Sequence, residues 1–558
     1  MPKLNSAGLK LLSILLMSTT LSEGHHAYAQ VLSGAQDSSS GQNASMYKQY
    51  MDRLPIGNRQ SGVRLKPLQG ETFEAEKIKA MDDAEYHLYE RKLYTVGSPV
   101  IRTQSQPDVL GVVKKNQAQQ ASLISDTTEK HFFPASFHDW LTQSTMTGDW
   151  GGLRTRLTDM GINIGGRFLQ DTSGNPRGGK AKTTRYADEF GLNIDFDLKK
   201  LTGYKIGYIH FSSTSRQGLG IGAKLPALDS PQEIFGSGET VRLTRLSWEM
   251  KWNQYVATEV GEINTENDFE QGSTYWGMNA YCQFQSNAIC GMPQSIAMNS
   301  GYGYYPTAHP GAWVKFYPAG NDHYLVQFGV YSVDPTISNT HNGWKMNLHG
   351  TTGTYLPFQL GWHQGGANDY SGPLQTNIKV GGYWDTSEVK DVYSQLGTFE
   401  VPQQYLVSAP SQKVRGRFGG WVQADRMLER DKRDPSRGTS VFGSFTWGDP
   451  RTSVAPYFIT WGVTRKGTFA SRPNDTFSIG MKMLWVNPKL TIWARQMQEA
   501  GAKGLYKPSG EHALEMNYGW RPTPWLMVRP GVQYIWNTGG TKKYNNPVIL
   551  DLETGITF

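Results

Sequence analysis

The sequence predicts an all-β protein, an antiparallel transmembrane β-barrel of about 16 strands with a partly helical N-terminal periplasmic extension. Three observations support this fold class. Only 18% of the 558 residues are charged, whereas 12% are aromatic and 62 are glycine. The C-terminal part alternates apolar and polar residues over runs about as long as a tilted transmembrane strand. The connectors between these runs alternate between long and short, which is typical of outer-membrane barrels.

The N-terminus has the three parts of a secretory signal peptide, which we predict over residues 1–29. Lys3 and Lys10 supply positive charge, residues 11–17 form an apolar core, and residues 27–29 read Ala-Tyr-Ala, a small-residue cleavage site. A helical membrane protein is excluded, because each span needs about 20 consecutive apolar residues and the mature sequence has no such segment. We therefore expect an exported protein.

Residues 30–145 form a predicted N-terminal extension with a composition of its own. It begins as a polar linker, and its residues 71–93 are charged and favour a helix, with Phe73, Ile78 and Met81 at roughly helical spacing. This spacing predicts a helix over 71–93. Because an even-stranded barrel begins and ends on the periplasmic side, the extension must lie in the periplasm or fold back into the lumen. Its many charged side chains could not face lipid, and we favour a periplasmic helix that partly covers the channel mouth or contacts a partner.

Residues 146–558 form the predicted outer-membrane β-barrel porin domain. In its last part we predict eight strands, at 415–427, 439–448, 456–465, 476–486, 489–498, 511–520, 525–536 and 547–558. Upstream, similar runs lie at 161–170, 189–198, 204–213, 241–252 and 324–333. The upstream region has room for eight further strands, which gives an even total, as expected for a single-chain bacterial barrel.

Within the runs, one face is apolar and the other is polar or small. In the last run Leu550 and Leu552 share one face, whereas Asp551 and Glu553 share the other. Tryptophans collect near the ends of the runs, as in the aromatic girdle of a membrane barrel. A soluble β-sandwich also alternates, but it needs neither a girdle nor connectors of alternating length. The terminal Phe558 predicts that the barrel-assembly machinery recognises the last strand.

Several sequence motifs follow one another in order over roughly residues 145–558. They are TGDWGGLRTRLTDMGINI from Thr147, GEINTENDF at 261–269, GRFGGWVQADRML at 416–428, TWGDPRTS at 446–453, GVTRKGTFASRPNDTFSIGM at 462–481 and TPWLMVRPGVQYIWNTGG at 523–540. Each resembles a segment of the carbohydrate-selective porin family (OprB type). The resemblance implies a 16-stranded barrel in the outer membrane of a Gram-negative bacterium, through which monosaccharides and similar small polar solutes diffuse.

Strand parity directs a set of polar side chains into the barrel, where they are candidate pore-lining and sugar-binding residues. They are Arg167, Asn193, Asp195, Asp197, Arg245, Glu249, Lys251, Lys482, Glu515, Asn517, Arg529, Gln533, Asp551 and Glu553. For each, the alternative is an ordinary wall residue that pairs with an opposite charge across strands. The mixture of both signs favours neutral sugars or polyols over strongly charged solutes.

The two cysteines, Cys282 and Cys290, lie in a segment rich in Gly, Asn and Ser, a composition that is typical of an extracellular loop. In an exported protein they predict a disulfide within that loop. Neither a metal site nor a cofactor is indicated, because no histidines stand at ligand spacing beside them. A net charge of +7, scattered along the chain, gives no support for nucleic-acid binding.

Two other functional classes stay open. An outer-membrane export or structural component would dock periplasmic partners through its N-terminal helix. A secreted carbohydrate-active enzyme would need a pair of catalytic carboxylates, but the acidic residues here follow strand parity, and no GxSxG motif occurs. We therefore expect a channel in contact with outer-membrane lipid, with no enzyme activity. Its oligomeric state, monomer or homotrimer, stays open.

Overall fold

In the computed structural model, the chain forms a closed antiparallel β-barrel of 16 strands. The fold class is thus confirmed. The structure describes residues 134–232, 234, 239–264, 269, 283–290, 299–303, 305–321, 323–365, 372–406, 412–431 and 437–558. The signal peptide predicted over 1–29 and most of the extension, including the helix predicted over 71–93, lie outside the described residues.

Each strand pairs with its neighbours in sequence, and β1 pairs with β16 to close the barrel. The strands are β1 Ile162–Arg177, β2 Thr184–Asp197, β3 Tyr208–Gly218, β4 Thr240–Lys251, β5 Val256–Ile263, β6 His309–Phe316, β7 Tyr324–Val333, β8 Gly353–Gln364, β9 Thr376–Lys390, β10 Lys413–Arg430, β11 Gly438–Gly448, β12 Tyr457–Lys466, β13 Thr476–Trp485, β14 Gly510–Thr523, β15 Leu526–Trp536 and β16 Val548–Thr557. Because their number is even, β1 begins and β16 ends at the same end of the barrel, here named the terminus end. The opposite end is named the loop end.

The described helices are short and lie outside the strands. They are α1 Phe137–Thr142, α2 Leu153–Met160, α3 Leu198–Thr202, α4 Gln403–Leu406 and α5 Pro488–Glu499, with 3₁₀ turns at Gly222–Lys224, Asn287–Cys290, Thr340–Asn342, Val392–Phe399 and Thr538–Gly540. In the part of the chain that the structure describes, no helix has the length and apolar character needed to cross a membrane.

The strand predicted at 489–498 is wrong, because this segment is helix α5. Asn487 caps the helix by accepting a hydrogen bond from the backbone of Lys489 (3.0 Å), and Pro488 occupies the first turn. Leu490 and Trp493 then bury one helical face. These helix signals are all present in the sequence, but the alternation of a few apolar residues was interpreted as a strand.

The total of 16 strands is nevertheless correct, because a second error offsets the first. Nine strands, not eight, precede Lys413, and seven follow from there. The strict alternation of connector length depended on the false strand and is also wrong. Residues 449–456 at the loop end and 467–475 at the terminus end form connectors of similar length.

The predicted alternation of faces is confirmed. Along β16, Leu550 and Leu552 are exposed on the outer surface, whereas Asp551 and Glu553 are buried inside the barrel. The period of two in an extended strand therefore separates an apolar exterior from a polar interior.

The segment before β1 joins the two ends of the barrel wall at the terminus end. The guanidinium of Arg154, on α2, donates hydrogen bonds to the backbone oxygens of Phe558 (2.6 Å) and Ile164 (3.0 Å) and to Thr145 Oγ1 (2.9 Å). The backbone of Met146 also donates to the carbonyl of Thr557 (2.8 Å). Arg154 thus connects the pre-barrel segment, the first strand and the last residue around the seam between β1 and β16.

We predict that Arg154→Ala weakens this seam. Removing a buried charged donor leaves several backbone oxygens without a partner, which costs about 2 kcal/mol or more. The folded band in detergent gels should therefore convert to the unfolded band at a lower temperature than in the wild type. Arg156→Ala is the matched control, because Arg156 is exposed on the same helix. Equal conversion temperatures for both variants would show that Arg154 does not hold the seam.

Candidate functional site in the barrel lumen

The structure places the predicted pore-lining residues on the inner wall, with one exception. The buried residues are Arg167 on β1, Asn193 and Asp195 on β2, Arg245, Glu249 and Lys251 on β4, Lys482 on β13, Glu515 and Asn517 on β14, Arg529 and Gln533 on β15, and Asp551 and Glu553 on β16. The exception, Asp197, ends β2 and caps α3 by accepting hydrogen bonds from the backbones of Lys199 (3.0 Å) and Lys200 (3.3 Å).

Glu189 lies between two guanidinium groups on the inner wall of β1–β3. It forms ion pairs with Arg167 and with Arg216, the latter at 2.7 Å. The hydroxyl of Tyr305 donates to the same carboxylate (3.0 Å), and Arg216 lies 5.1 Å above the centre of the Tyr305 ring. Tyr305 belongs to the connector 264–308, so this long connector from the loop end reaches into the lumen. We name these four residues the arginine–glutamate cluster.

On the wall formed by β13–β15, Lys482 and Glu515 hold two connectors inside the barrel. Lys482 pairs with Asp229 (2.5 Å) and donates to Ser286 Oγ (2.6 Å). Glu515 accepts hydrogen bonds from the backbones of Gln285 (2.8 Å) and Ser286 (3.0 Å). Asp229 lies in the connector 219–239, and the other partners lie in 264–308. These buried wall residues therefore hold loop segments against the inner wall by hydrogen bonds.

Two further candidates on the same wall contact loop backbone. Asn517 donates to the carbonyl of Gln283 (2.7 Å), and Gln533 donates to the carbonyl of Pro231 (2.8 Å). Glu511, which the sequence analysis did not select, accepts bonds from the backbones of Leu228 (2.9 Å) and Asp229 (3.0 Å), among others.

Ion pairs across strands involve several of the remaining candidates. Arg529 pairs with Glu553 (2.8 Å), and Ser173 donates to Asp551 (2.8 Å). On the β2–β5 wall, Arg245 on β4 pairs across strands with Glu259 on β5, and along its own strand with Glu249 (3.3 Å). Charges of opposite sign thus lie side by side along the lumen.

A group of aromatic residues on the inner wall was missed by the sequence analysis. Tyr355 on β8 stacks on Tyr302 from the connector 264–308, with ring centres 4.8 Å apart, and contacts Tyr383 on β9 at 5.3 Å. Trp421 on β10 donates from its indole nitrogen to Gln359 Oε1 (3.2 Å). Strand parity alone could have found these rings, but only polar residues were considered as inward.

Trp421 lies flat on the wall because its neighbour on β9 is glycine. A Cβ on Gly381 would collide with the indole ring, so any other residue would push the ring away from the wall. Flat aromatic rings and amide groups suit sugars, because sugars present both apolar faces and hydroxyl groups.

At the loop end, Glu400 joins three connectors. Its carboxylate pairs with Lys180 (2.6 Å) and Lys543 (2.6 Å) and accepts a bond from the hydroxyl of Tyr544 (2.7 Å). Partial burial raises the pKa of Glu400, but these three partners outweigh it and lower the pKa to about 2. The ion pairs consequently persist across the physiological pH range.

The described part of the cysteine-containing connector, residues 283–290, packs against the inner wall of the barrel. Cys290 is disulfide-bonded and fully buried, and it packs with Phe284 and Ile289 against Phe442 on the inner wall of β11. Cys282 lies outside the described residues, so its pairing with Cys290 stays a prediction.

Comparisons with known proteins identify close structural and sequence relatives. A family model described as the carbohydrate-selective porin, OprB family, matches residues 181–558. Porin B of Pseudomonas aeruginosa is 31% identical over 431 residues, which cover 74% of this chain and 91% of that protein. A putative porin, QuiX of Acinetobacter baylyi, is 25% identical over 463 residues, covering 78% of this chain and 97% of that protein. The high-pH structure of Pseudomonas putida OprB is 26% identical and has a TM-score of 0.66, covering 75% of this chain and 99% of that one. The resemblance based on motifs is confirmed.

We predict that Glu189→Gln makes the channel more selective for anions. The substitution removes the one carboxylate between Arg167 and Arg216 and leaves both guanidinium charges in the lumen. The reversal potential of the purified protein in a planar bilayer with a salt gradient should shift toward the equilibrium potential of the anion. Glu388→Gln is the control, because it removes an equal charge from a carboxylate that the structure leaves exposed. If both variants keep the wild-type reversal potential, the arginine–glutamate cluster does not face the ion path.

Proposed function

This chain belongs to the OprB family of carbohydrate-selective porins, and from that premise we propose that it passes neutral monosaccharides and related small polyols by diffusion. It is a porin of the Gram-negative outer membrane. Its family and fold are those of a non-enzymatic channel, and we propose that it has no catalytic role.

The pairing of charges in the lumen is the observation that carries this proposal. Glu189 pairs with Arg167 and Arg216, and Glu553 pairs with Arg529. A lumen with neighbouring charges of both signs offers hydrogen-bond donors and acceptors without a strong field of one sign. Neutral solutes with many hydroxyl groups match such a wall better than ions do.

The candidate residues are proposed to act in two ways. Those of the arginine–glutamate cluster and of the β2–β5 wall would contact the solute. Lys482, Glu515, Asn517 and Gln533 would narrow its path by holding the connectors 219–239 and 264–308 within the lumen.

The remaining proposals concern the environment of the barrel. We propose that residues 1–29 are removed on export and that residues 30–145 form an extension on the periplasmic side of the barrel. The terminus end would then face the periplasm. The barrel-assembly machinery would recognise the last strand through Phe558. Lipid would surround the apolar outer surface.

We predict that vesicles containing the purified protein admit glucose faster than gluconate, a solute of similar size with one negative charge. The balanced lumen provides no compensation for the lost hydration of the carboxylate, whereas it can replace the hydration of hydroxyl groups. Osmotic swelling of the vesicles measures both rates, and vesicles without protein give the background. Equal or faster entry of gluconate would argue against neutral solutes, and chemical conversion of glucose would argue for an enzyme.

A further inference from the structure

The connector 334–352, between β7 and β8, crosses the barrel wall at the loop end, where the wall is low. β5 and β6 have eight residues each. β4 pairs with β5 from Leu246 to Lys251, and β5 ends at Ile263, so residues 240–245 of β4 extend beyond this neighbour. The rim of the barrel is therefore lower at β5 and β6 than at β4.

On the inner side of the wall, Arg242 of β4 holds this connector. Its buried guanidinium donates to the carbonyls of Ile337 (2.9 Å) and Ser338 (2.7 Å). At the edge of β4 that extends beyond β5, the backbone of Leu243 donates to the carbonyl of Gly343 (2.8 Å). Gly343 thereby occupies the place along β4 that a longer β5 would fill.

The next residue of the connector lies on the outer side of the wall. The ring of Trp344 stacks on that of Phe211 on β3, with ring centres 6.2 Å apart. Phe211 points outward, because its neighbour His210 is buried in the interior and because it stands opposite Leu246, which is exposed on the outer surface. Between residues 337 and 344 the chain therefore passes from the inner to the outer side of the wall.

Beyond the wall, the segment 344–348 exposes three apolar side chains. Trp344, Met346 and Leu348 are 48%, 52% and 64% exposed, and we name these three residues the apolar stripe. Lys345 turns back and pairs with the buried Asp334 at the base of the connector. Its neighbours on either side consequently face away from the connector.

At the rest of the loop end, the described connectors expose large apolar side chains singly. Leu219 is exposed at the start of 219–239, and Ile492 and Tyr506 are exposed at distant positions of 486–509. Three such side chains within five residues set the connector 334–352 apart. An exposed apolar group of this density marks a contact with an apolar partner.

The height of Phe211 on the wall indicates what that partner is. Trp252 and Tyr255, both exposed, mark the edge of the apolar band at the terminus end. Leu246, opposite Phe211, precedes Trp252 by six residues. At about 3.3 Å per residue and a tilt of about 40°, Phe211 lies roughly 15 Å from that edge, inside a band about 25 Å tall. Trp344, stacked on this ring, is therefore continuous with the lipid-facing surface.

We propose that the segment 344–348 lies at the membrane surface on the loop-end side, with the apolar stripe inserted among the lipids of that leaflet. Its backbone stays at the level of the headgroups, where water satisfies the peptide groups, and its side chains reach the acyl chains. An indole suits this boundary, because it is apolar and has one N–H donor.

The connector is then held from two sides, by Arg242 in the barrel interior and by lipid outside. The same connector fills the low part of the rim, so the membrane contact fixes an element of the barrel wall. This inference rests on the proposed lipid surroundings of the barrel and not on the identity of the solute.

A fluorescent label tests what surrounds the apolar stripe. Met346→Cys and Leu348→Cys are made singly, labelled with a nitrobenzoxadiazole maleimide and reconstituted in vesicles of phosphatidylcholine or of its dibrominated form, whose acyl chains quench the label on contact. Val422→Cys, exposed on the outer face of β10, is the control for contact with lipid. His341→Cys, exposed on the same connector near the end of β4, is the control for contact with water. Wild-type protein treated in the same way gives the background labelling.

We expect the dibrominated lipid to lower the emission of the labels at positions 346 and 348 at least twofold, as for the label at position 422, and to leave the label at position 341 unchanged. Labels at 346 and 348 that behave like the label at 341 would overturn the proposal. A blue-shifted emission without quenching would also overturn it, because the stripe would then contact protein, such as a second copy of this chain.

A second measurement removes the stripe and uses protease. Lys345 is the only lysine or arginine in 334–352, so trypsin has a single site there. In opened vesicles, the combined variant Trp344→Ser, Met346→Ser and Leu348→Ser should be cut after Lys345 at least tenfold faster than the wild type. The matched control replaces three polar residues of the same connector, His341→Ser, Asn347→Ser and His349→Ser, and should be cut at the wild-type rate.

Equal rates of cleavage in the stripe variant and the wild type would also overturn the proposal. Glucose swelling of vesicles with the stripe variant is expected to match the wild type, because the stripe lies outside the lumen. Failure of the wild type to admit glucose would instead contradict the proposed function alone.

Discussion

The closure of the β-sheet between β1 and β16 is the constraint on which the rest of the structure depends. A strand in a membrane has no water to satisfy its backbone, so every strand must have two neighbours. Closure provides them, and because β1 and β16 pair antiparallel, the number of strands is even and both ends of the wall lie at one side. Arg154 stabilises this seam from the segment before the barrel, with bonds to Ile164 and Phe558. The strands then have one apolar and one polar face because successive residues point alternately to the outer surface and to the interior.

A closed wall of this size places many charged side chains in its interior, where they are buried. Buried charges are tolerated when they are paired and hydrogen-bonded. Here the partners come partly from neighbouring strands, as for Arg529 and Glu553, and partly from the loops, as for Lys482 and Asp229. The need to satisfy the wall thus draws the connectors 219–239 and 264–308 into the lumen. The narrowing of the channel and the stability of its wall have the same physical origin.

The sequence was sufficient to predict the barrel, the approximate strand number and the inward direction of the polar candidates, because alternation along a strand is a local pattern. It was not sufficient to predict the loop contacts, since Lys482 and Asp229 are 253 residues apart. The helix that begins at Pro488 was predicted as a strand for a different reason. Its N-cap Asn487 and its first-turn proline are both in the sequence, but the alternation of apolar and polar residues along 489–498 was given more weight. The tyrosines around Tyr355 were missed because parity was applied to polar residues only.

Many of the contacts that hold the described loop segments involve loop backbone, and this has a consequence for selectivity. Glu515 accepts from the amide groups of Gln285 and Ser286, and Arg242 donates to the carbonyls of Ile337 (2.9 Å) and Ser338 (2.7 Å). Because every residue type offers a carbonyl and nearly every one an amide, such contacts fix the course of a loop without fixing its sequence. The loop side chains that reach the lumen, of which Tyr305 is one, can then differ while the wall and its anchors keep the same arrangement. A barrel that anchors its loops through the backbone can therefore change the solute it admits by changing loop residues alone.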